Sequence, residues 1–218
     1  MILAIDTATE FAGLALYNQD SLWAEEIWRA ARNHTVELMP RLHRMLKKAA
    51  LRAADLESIA VCIGPGSYTG VRIGVATAKG LALPHNLSVI GVNTLEITAY
   101  PHRRQALPVV AVAKAGRKRI LTAGYRWEKR RWTQSQPFQL TTIAELAAQL
   151  TRPVLIAGEI TAEQADFLRQ QAAGKISVVS PLHRVRRPGV LAELGAIKLA
   201  RHENDDLNSL KPIYLKDP

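Results

Sequence analysis

Apolar residues along the chain follow two rhythms. The run Ile2-Leu-Ala-Ile5 stops at Asp6 and Thr7, which predicts a buried strand opening into a loop. Strands are predicted at 13–17 and 22–28, parted by the turn-forming residues 18–21. Over 35–51 the period changes. Leu38, Met39, Leu42, Met45, Leu46 and Ala49 recur at helical spacing, while Arg41, Arg44, Lys47 and Lys48 fall elsewhere. Pro40 has no amide donor, so it belongs in the first turn of that helix or at a kink. A strand at 58–63, a helix at about 69–83 stopped by Pro84, a strand at 88–92 and a short helix at 94–100 follow.

The second half repeats the order. Strands are predicted at 107–113, 119–127 and 132–140, a helix at 142–150, a strand at 154–157, a helix at 162–171 and a strand at 176–179. A last helix at 190–202 precedes a polar tail whose end, Pro212-Ile-Tyr-Leu215, is apolar enough to dock. Three strands, a helix, a strand and a helix, twice over, predict an α/β fold with an internal duplication. The opening strands of the two halves compare well: Leu3-Ala-Ile-Asp-Thr-Ala8 beside Val110-Ala-Val-Ala-Lys-Ala115. The expected division is a first lobe over 1–100, a second over 101–190, and a C-terminal helix and tail over 191–218 packing back on the first lobe.

Composition narrows the class. With 48% hydrophobic and 22% charged residues the 218-residue chain is globular rather than disordered. The single cysteine, Cys62, excludes an intrachain disulfide and a cysteine-rich zinc module. No apolar run reaches the roughly 18 residues of a membrane span. The N-terminus reaches Asp6 with no basic segment before it, unlike a signal peptide. A soluble cytoplasmic protein without membrane contact is therefore expected. The net charge of +10 is unevenly placed: residues 101–190 hold 16 Lys/Arg against 5 Asp/Glu, and the rest of the chain 13 against 14. A polyanionic partner and a solubility device both account for such an excess.

Two loops carry candidate chemistry. Asp6, Thr7 and Thr9 stand where a strand ends; their hydroxyls and amides can cradle a phosphate and Asp6 can hold a cation through water, or the segment is a turn or cap. Gly64-Pro-Gly-Ser-Tyr-Thr-Gly70 lies between a buried strand and a helix. It lacks the Lys-Ser/Thr of a phosphate-binding P-loop and the spacing of a dinucleotide fingerprint. Gly64, Gly66, Ser67 and Thr69 therefore make either an anion loop or a tight turn packed against a neighbour. None of the six histidines has a partner at metal-ligand spacing, and Cys62 reads as core. In Tyr125-Arg-Trp-Glu-Lys-Arg-Arg-Trp132, Arg126, Lys129, Arg130 and Arg131 form a candidate anion surface, while Trp127 and Trp132 are assigned to packing. Gly70, Gly74 and Ala78 share one helix face. A mid-helix glycine costs about 0.5–1 kcal/mol relative to alanine, so that face is expected to meet either another molecule's helix or this chain's own sheet.

The string Gly64-Pro-Gly-Ser-Tyr-Thr-Gly-Val-Arg-Ile-Gly74, with Ile2-Leu-Ala-Ile-Asp-Thr-Ala-Thr9, resembles the TsaB (YeaZ) family, closely over the first hundred or so residues and more weakly to Lys216. The resemblance implies an actin-like duplicated two-lobe fold of the sugar kinase/Hsp70 and ribonuclease H-like kind. It implies a non-catalytic scaffold subunit of the tRNA threonylcarbamoyladenosine machinery. Its partners would be the catalytic paralogue TsaD, the ATPase TsaE and tRNA within the complex, with a homodimer when alone. TsaD transfers the threonylcarbamoyl group from its adenylate to the adenosine beside the anticodon. By the same resemblance the helices at 35–51 and 69–83 form the interface, through Leu38, Leu42, Met45, Leu46, Gly70, Gly74 and Ala78. TsaD carries two metal-binding histidines in a G-V-N-H-L-E-G-H-like segment; here the run is Gly91-Val-Asn-Thr-Leu-Glu-Ile-Thr98. Thr94 and Thr98 are poor metal ligands, so neither metal nor cofactor is expected. Lys114 stands where family members commonly have an acid, against a magnesium-nucleotide site. Those substitutions weigh against the rival class, a metallopeptidase-like or ATPase enzyme of the same superfamily.

Overall fold

In the computed structural model the described residues are all but 31–32, 117, 130, 172–173 and 215–218. The first unit, Met1–Thr94 with Arg187–Tyr214, is built on one five-stranded sheet. Its strands are β1 (Ile2–Asp6), β2 (Phe11–Tyr17) and β3 (Leu22–Arg29). After helix α1 (His34–Lys48) come β4 (Ser58–Cys62), α2 (Tyr68–Ala82) and β5 (Ser88–Val92). Strand order is β3-β2-β1-β4-β5. The first three strands pair antiparallel and β1, β4 and β5 pair parallel. β1 and β4 are buried along their whole length, which explains their unbroken apolar runs: a parallel strand covered on both faces has no polar side.

A short helix, α3 (Thr94–Ala99), leads into the second unit, Leu95–Arg186. Here β6 (Val109–Lys114), β7 (Ile120–Glu128), β8 (Arg131–Thr141), α4 (Ile143–Gln149), β9 (Val154–Gly158), α5 (Ala162–Gln171) and β10 (Ile176–Val178) follow in turn. The sheet order, β10-β9-β6-β7-β8, reproduces that of the first unit element for element. On one face Val112, Ile156, Leu146 and Leu168 make a core; on the other Leu95, Ala99, Ala111 and Leu155 make a second. This duplicated arrangement is the actin-like fold.

Helix α6 (Pro188–Leu199) packs across β1, β2 and β4 of the first unit. A Cβ on Gly195 would lie 2.6 Å from Ala60 Cβ, whereas the Gly74 position of α2 faces Val61, so the two helices cover opposite faces of β4. Glu25 of β3 caps α6, accepting from the Gly189 amide at 2.8 Å and from Arg187 Nε at 2.9 Å. The tail then runs back along the β5 edge. Asp205 bridges to Val89, the Ile213 amide donates to the Ile63 carbonyl at 2.8 Å, and Tyr214 accepts from Arg72 Nε at 2.7 Å. Pro40 sits inside α1, past its first turn, and α6 begins at Pro188, two residues earlier than expected, because proline is tolerated at a helix start.

Candidate functional site

The two loops singled out in the sequence meet in the first unit and are spent on one another. Asp6 is buried, and its Oδ1 accepts from the Ala8 amide at 2.9 Å. Thr7 Oγ1 donates to the Gly70 carbonyl at 2.7 Å, and the Ser67 amide donates to the Ala8 carbonyl at 2.6 Å. The Thr9 carbonyl lies 2.9 Å from His34 Nε2. Ser67 is the N-cap of α2, its Oγ accepting from the Gly70 amide at 3.2 Å, and Thr69 is exposed in the first turn. The glycines are required by this closure. A Cβ at Gly66 would overlap the Ala8 carbonyl oxygen, and one at Gly70 the Thr7 carbonyl oxygen. Gly64 has φ +90° and carries the Ile213 carbonyl 3.2 Å from where its Cβ would be. Of the two readings open for this loop, the geometry matches the tight turn packed against a neighbour.

Gly74 obeys the same constraint. Its Cβ would overlap Thr7 Oγ1 and lie 3.7 Å from Val61. Gly70, Gly74 and Ala78, read from the sequence as interface candidates, are buried within this unit, Gly70 against Thr7 and Gly74 against Thr7 and Val61. Leu38, Leu42, Met45 and Leu46 are likewise buried within the unit. A helix lying on a sheet needs an apolar stripe for its own core. Leu42 and Leu46 do reach a second environment. With Met39, His43, Leu51 and Leu81 they line a groove of about 460 Å³ between α1 and α2. On α1 Met39 is 46% exposed and Val36, three residues before it, 74%; Leu83, just after α2, is 73% exposed. Sequence reading passed over Val36 and Leu83; apolar residues lying off the main stripe were the available signal. At the groove edge Arg52 holds the Asp55 carboxyl down to about 2 through its guanidinium and amide.

The second unit treats its equivalent loops differently. Glu159, just after β9, accepts from the Lys114 amide at 2.9 Å and from the buried Arg186 Nη1 at 3.1 Å. Burial and the nearby His183 push the His102 imidazole pKa down. At the far end of the sheet the β7–β8 hairpin pairs Trp127 with Trp132 and Arg126 with Thr133, which puts the two tryptophans on one face and Arg126 on the other. Trp132 stacks on Tyr125 with centroids 5.8 Å apart and meets Tyr100 edge-on at 6.4 Å. Trp127, expected to pack inward, is 56% exposed instead, because the hairpin runs past the core. Lys129 and Arg131 are exposed at the turn, Arg126 is held by Glu128 at 3.1 Å, and Arg130 lies outside the described residues. Thr94 is buried, its Oγ1 3.2 Å from Cys62 Sγ, and Thr98 is buried too. Among the described residues no three His, Cys, Asp or Glu side chains converge, and no helix is long and apolar enough to cross a membrane.

Known proteins match this architecture and chain. The family model described as TsaD, tRNA N6-adenosine threonylcarbamoyltransferase, matches residues 28–208. The Bacillus subtilis tRNA threonylcarbamoyladenosine biosynthesis protein TsaB is 34% identical over 99% of this chain and 93% of its own length. The Escherichia coli protein of the same description is 39% identical over 57% of this chain and 54% of its own. A Pseudomonas aeruginosa crystal structure, described as similar to peptidase YeaZ, superposes with a TM-score of 0.81 at 22% identity, covering 99% of both chains.

Proposed function

The chain belongs to the TsaB (YeaZ) family, and we propose that within tRNA threonylcarbamoyladenosine biosynthesis it is a non-catalytic subunit that docks on TsaD through the α1–α2 groove. The observation that carries this reading is the groove itself: an apolar trough lined by Leu42, Leu46, Leu51 and Leu81, with Met39 half out of the surface and the exposed Val36 three residues before it on α1. Exposed apolar side chains along such a groove favour a contact with another protein. Two further features favour a supporting role over catalysis. The loops that would cradle a phosphate in the first unit are closed on each other, and the positions corresponding to TsaD's metal-binding histidines are threonines. A second copy of the chain occupies the same groove when TsaD is absent, TsaE joins the assembled pair, and tRNA is bound within that assembly against the basic second unit.

The test is size-exclusion chromatography with TsaD. Val36→Glu with Met39→Glu alters only exposed side chains, so the protein stays folded by circular dichroism; co-elution with TsaD and reconstituted tRNA modification are both expected to be lost. A folded double variant that co-elutes at wild-type affinity refutes the groove as the docking surface. Modification of tRNA by the purified chain alone refutes the non-catalytic role.

A further inference from the structure

The second unit carries a surface that the docking groove does not use. Along one face of the β7–β8 hairpin run Tyr100, Trp132 and Tyr125, each ring in contact with the next, and Trp127 continues the row beyond the core. The inner end of the row is closed: the Arg103 guanidinium lies 3.9 Å over the Tyr100 ring. The outer end is open, with more than half of Trp127 in solvent, and the exposed Lys129 and Arg131 stand at the turn next to it. Burying an indole against the core is favourable, so a tryptophan held out at the end of a stack among cations fits a flat, anionic ligand better than an internal role. The surrounding unit is strongly basic, with 15 Lys/Arg against 6 Asp/Glu over Leu95–Arg186.

We infer that Trp127 is a stacking platform for an unpaired RNA base, with Lys129 and Arg131 taking the adjoining phosphates. The inference rests on the reading that this chain works beside tRNA, and names the part of the RNA concerned: a single-stranded loop. Paired bases are already stacked within a duplex and offer no free face to an indole. An unpaired base offers its whole π-face, and the flanking phosphates meet the hairpin turn as they leave it. Arg126 plays a smaller part, since it lies on the opposite face of the ribbon and is engaged by Glu128.

The experiment titrates the full chain at low salt with a labelled RNA stem-loop and with a blunt RNA duplex of equal length, following fluorescence anisotropy. Trp127→Ala is expected to weaken stem-loop binding by about fivefold to a hundredfold, leave the duplex unaffected, and be largely rescued in Trp127→Phe. Lys129→Glu with Arg131→Glu is expected to weaken both RNAs and flatten the salt dependence. If Trp127→Ala leaves stem-loop affinity unchanged while the charge reversal weakens it, the stacking site is wrong and the tRNA-facing unit stands. If neither variant changes binding, both fall. If Trp127→Ala keeps RNA affinity but no longer co-elutes with TsaD, Trp127 is a protein contact and the inference is overturned.

Discussion

The loop after β4 and the loop after β9 hold the same place in two units of identical strand order, yet each is fixed by a different means. In the first unit Gly66 and Gly70 let backbone press on backbone, with the Ala8 and Thr7 carbonyls where side chains would otherwise be. In the second, the Glu159 carboxylate reaches across to the Lys114 amide and to Arg186. The charge of the units differs as sharply. The first, Met1–Thr94 with Arg187–Tyr214, has 13 Lys/Arg against 12 Asp/Glu, while the second has 15 against 6. Duplication supplied one scaffold twice; glycines adapted one copy to close helix packing, while the other copy carries the excess of cations.

The largest expected effect that tests this contrast is Gly74→Leu. Its side chain would enter the packed space held by Thr7 and Val61, so it is expected to cost more than about 3 kcal/mol and to leave little folded protein. Gly80→Leu, in the same helix but with nothing within 4 Å of its Cβ, is expected to stay folded. Urea unfolding followed by circular dichroism separates them, and a stable Gly74→Leu monomer would reopen that face as a partner surface.

Glu159→Ala comes next. Removing it takes away one ion pair of the buried Arg186 and one hydrogen bond to the Lys114 amide, with an expected loss of about 1–3 kcal/mol. Glu159→Gln keeps an acceptor and is expected to lose less. Equal stability for all three proteins would mean that the second unit's loops are held by something else.

Ser67→Ala should be milder. As the N-cap of α2 it contributes about 1 kcal/mol, so a small fall in the urea midpoint is expected, with reconstituted tRNA modification intact. Loss of modification at unchanged stability would instead make Ser67 a ligand group.

The smallest effect is in pH dependence. Burial lowers the His102 pKa in the folded state, so the unfolded chain binds the proton more readily. Stability from this group is present above the ordinary histidine value of about 6.5 and falls as pH drops from there through the folded pKa. His102→Asn is expected to flatten that slope between about pH 7.5 and about pH 5.5 in urea titrations. An unchanged slope would exclude His102 as its source.

Much of the fold is legible in the residues. Buried parallel strands are marked by unbroken runs such as Ile59-Ala-Val-Cys62, and the change from period two to period 3.6 marks α2 within one residue at each end and α1 within one at its start and three at its end. The glycine string was specific enough to point to the family. At the level of residues the candidate interface rests on helical spacing alone. Leu38, Met45 and Gly74 carry the right pattern for contact, but a periodic stripe does not say whether the chain or a partner covers it.

By itself, then, the sequence determined the order of elements, the duplication and the one-sided charge, because these depend on local periodicity and on residue counts. Only the tertiary structure decided what each glycine faces, that Met39 lines the groove while half exposed, and that Trp132 is packed while Trp127 is not. Those outcomes depend on contacts between residues distant in the chain. Thr7 and Gly70 are 63 positions apart and share a hydrogen bond of 2.7 Å. Trp127 and Trp132 are directly paired across a hairpin, and they part company only where the sheet's covering core ends.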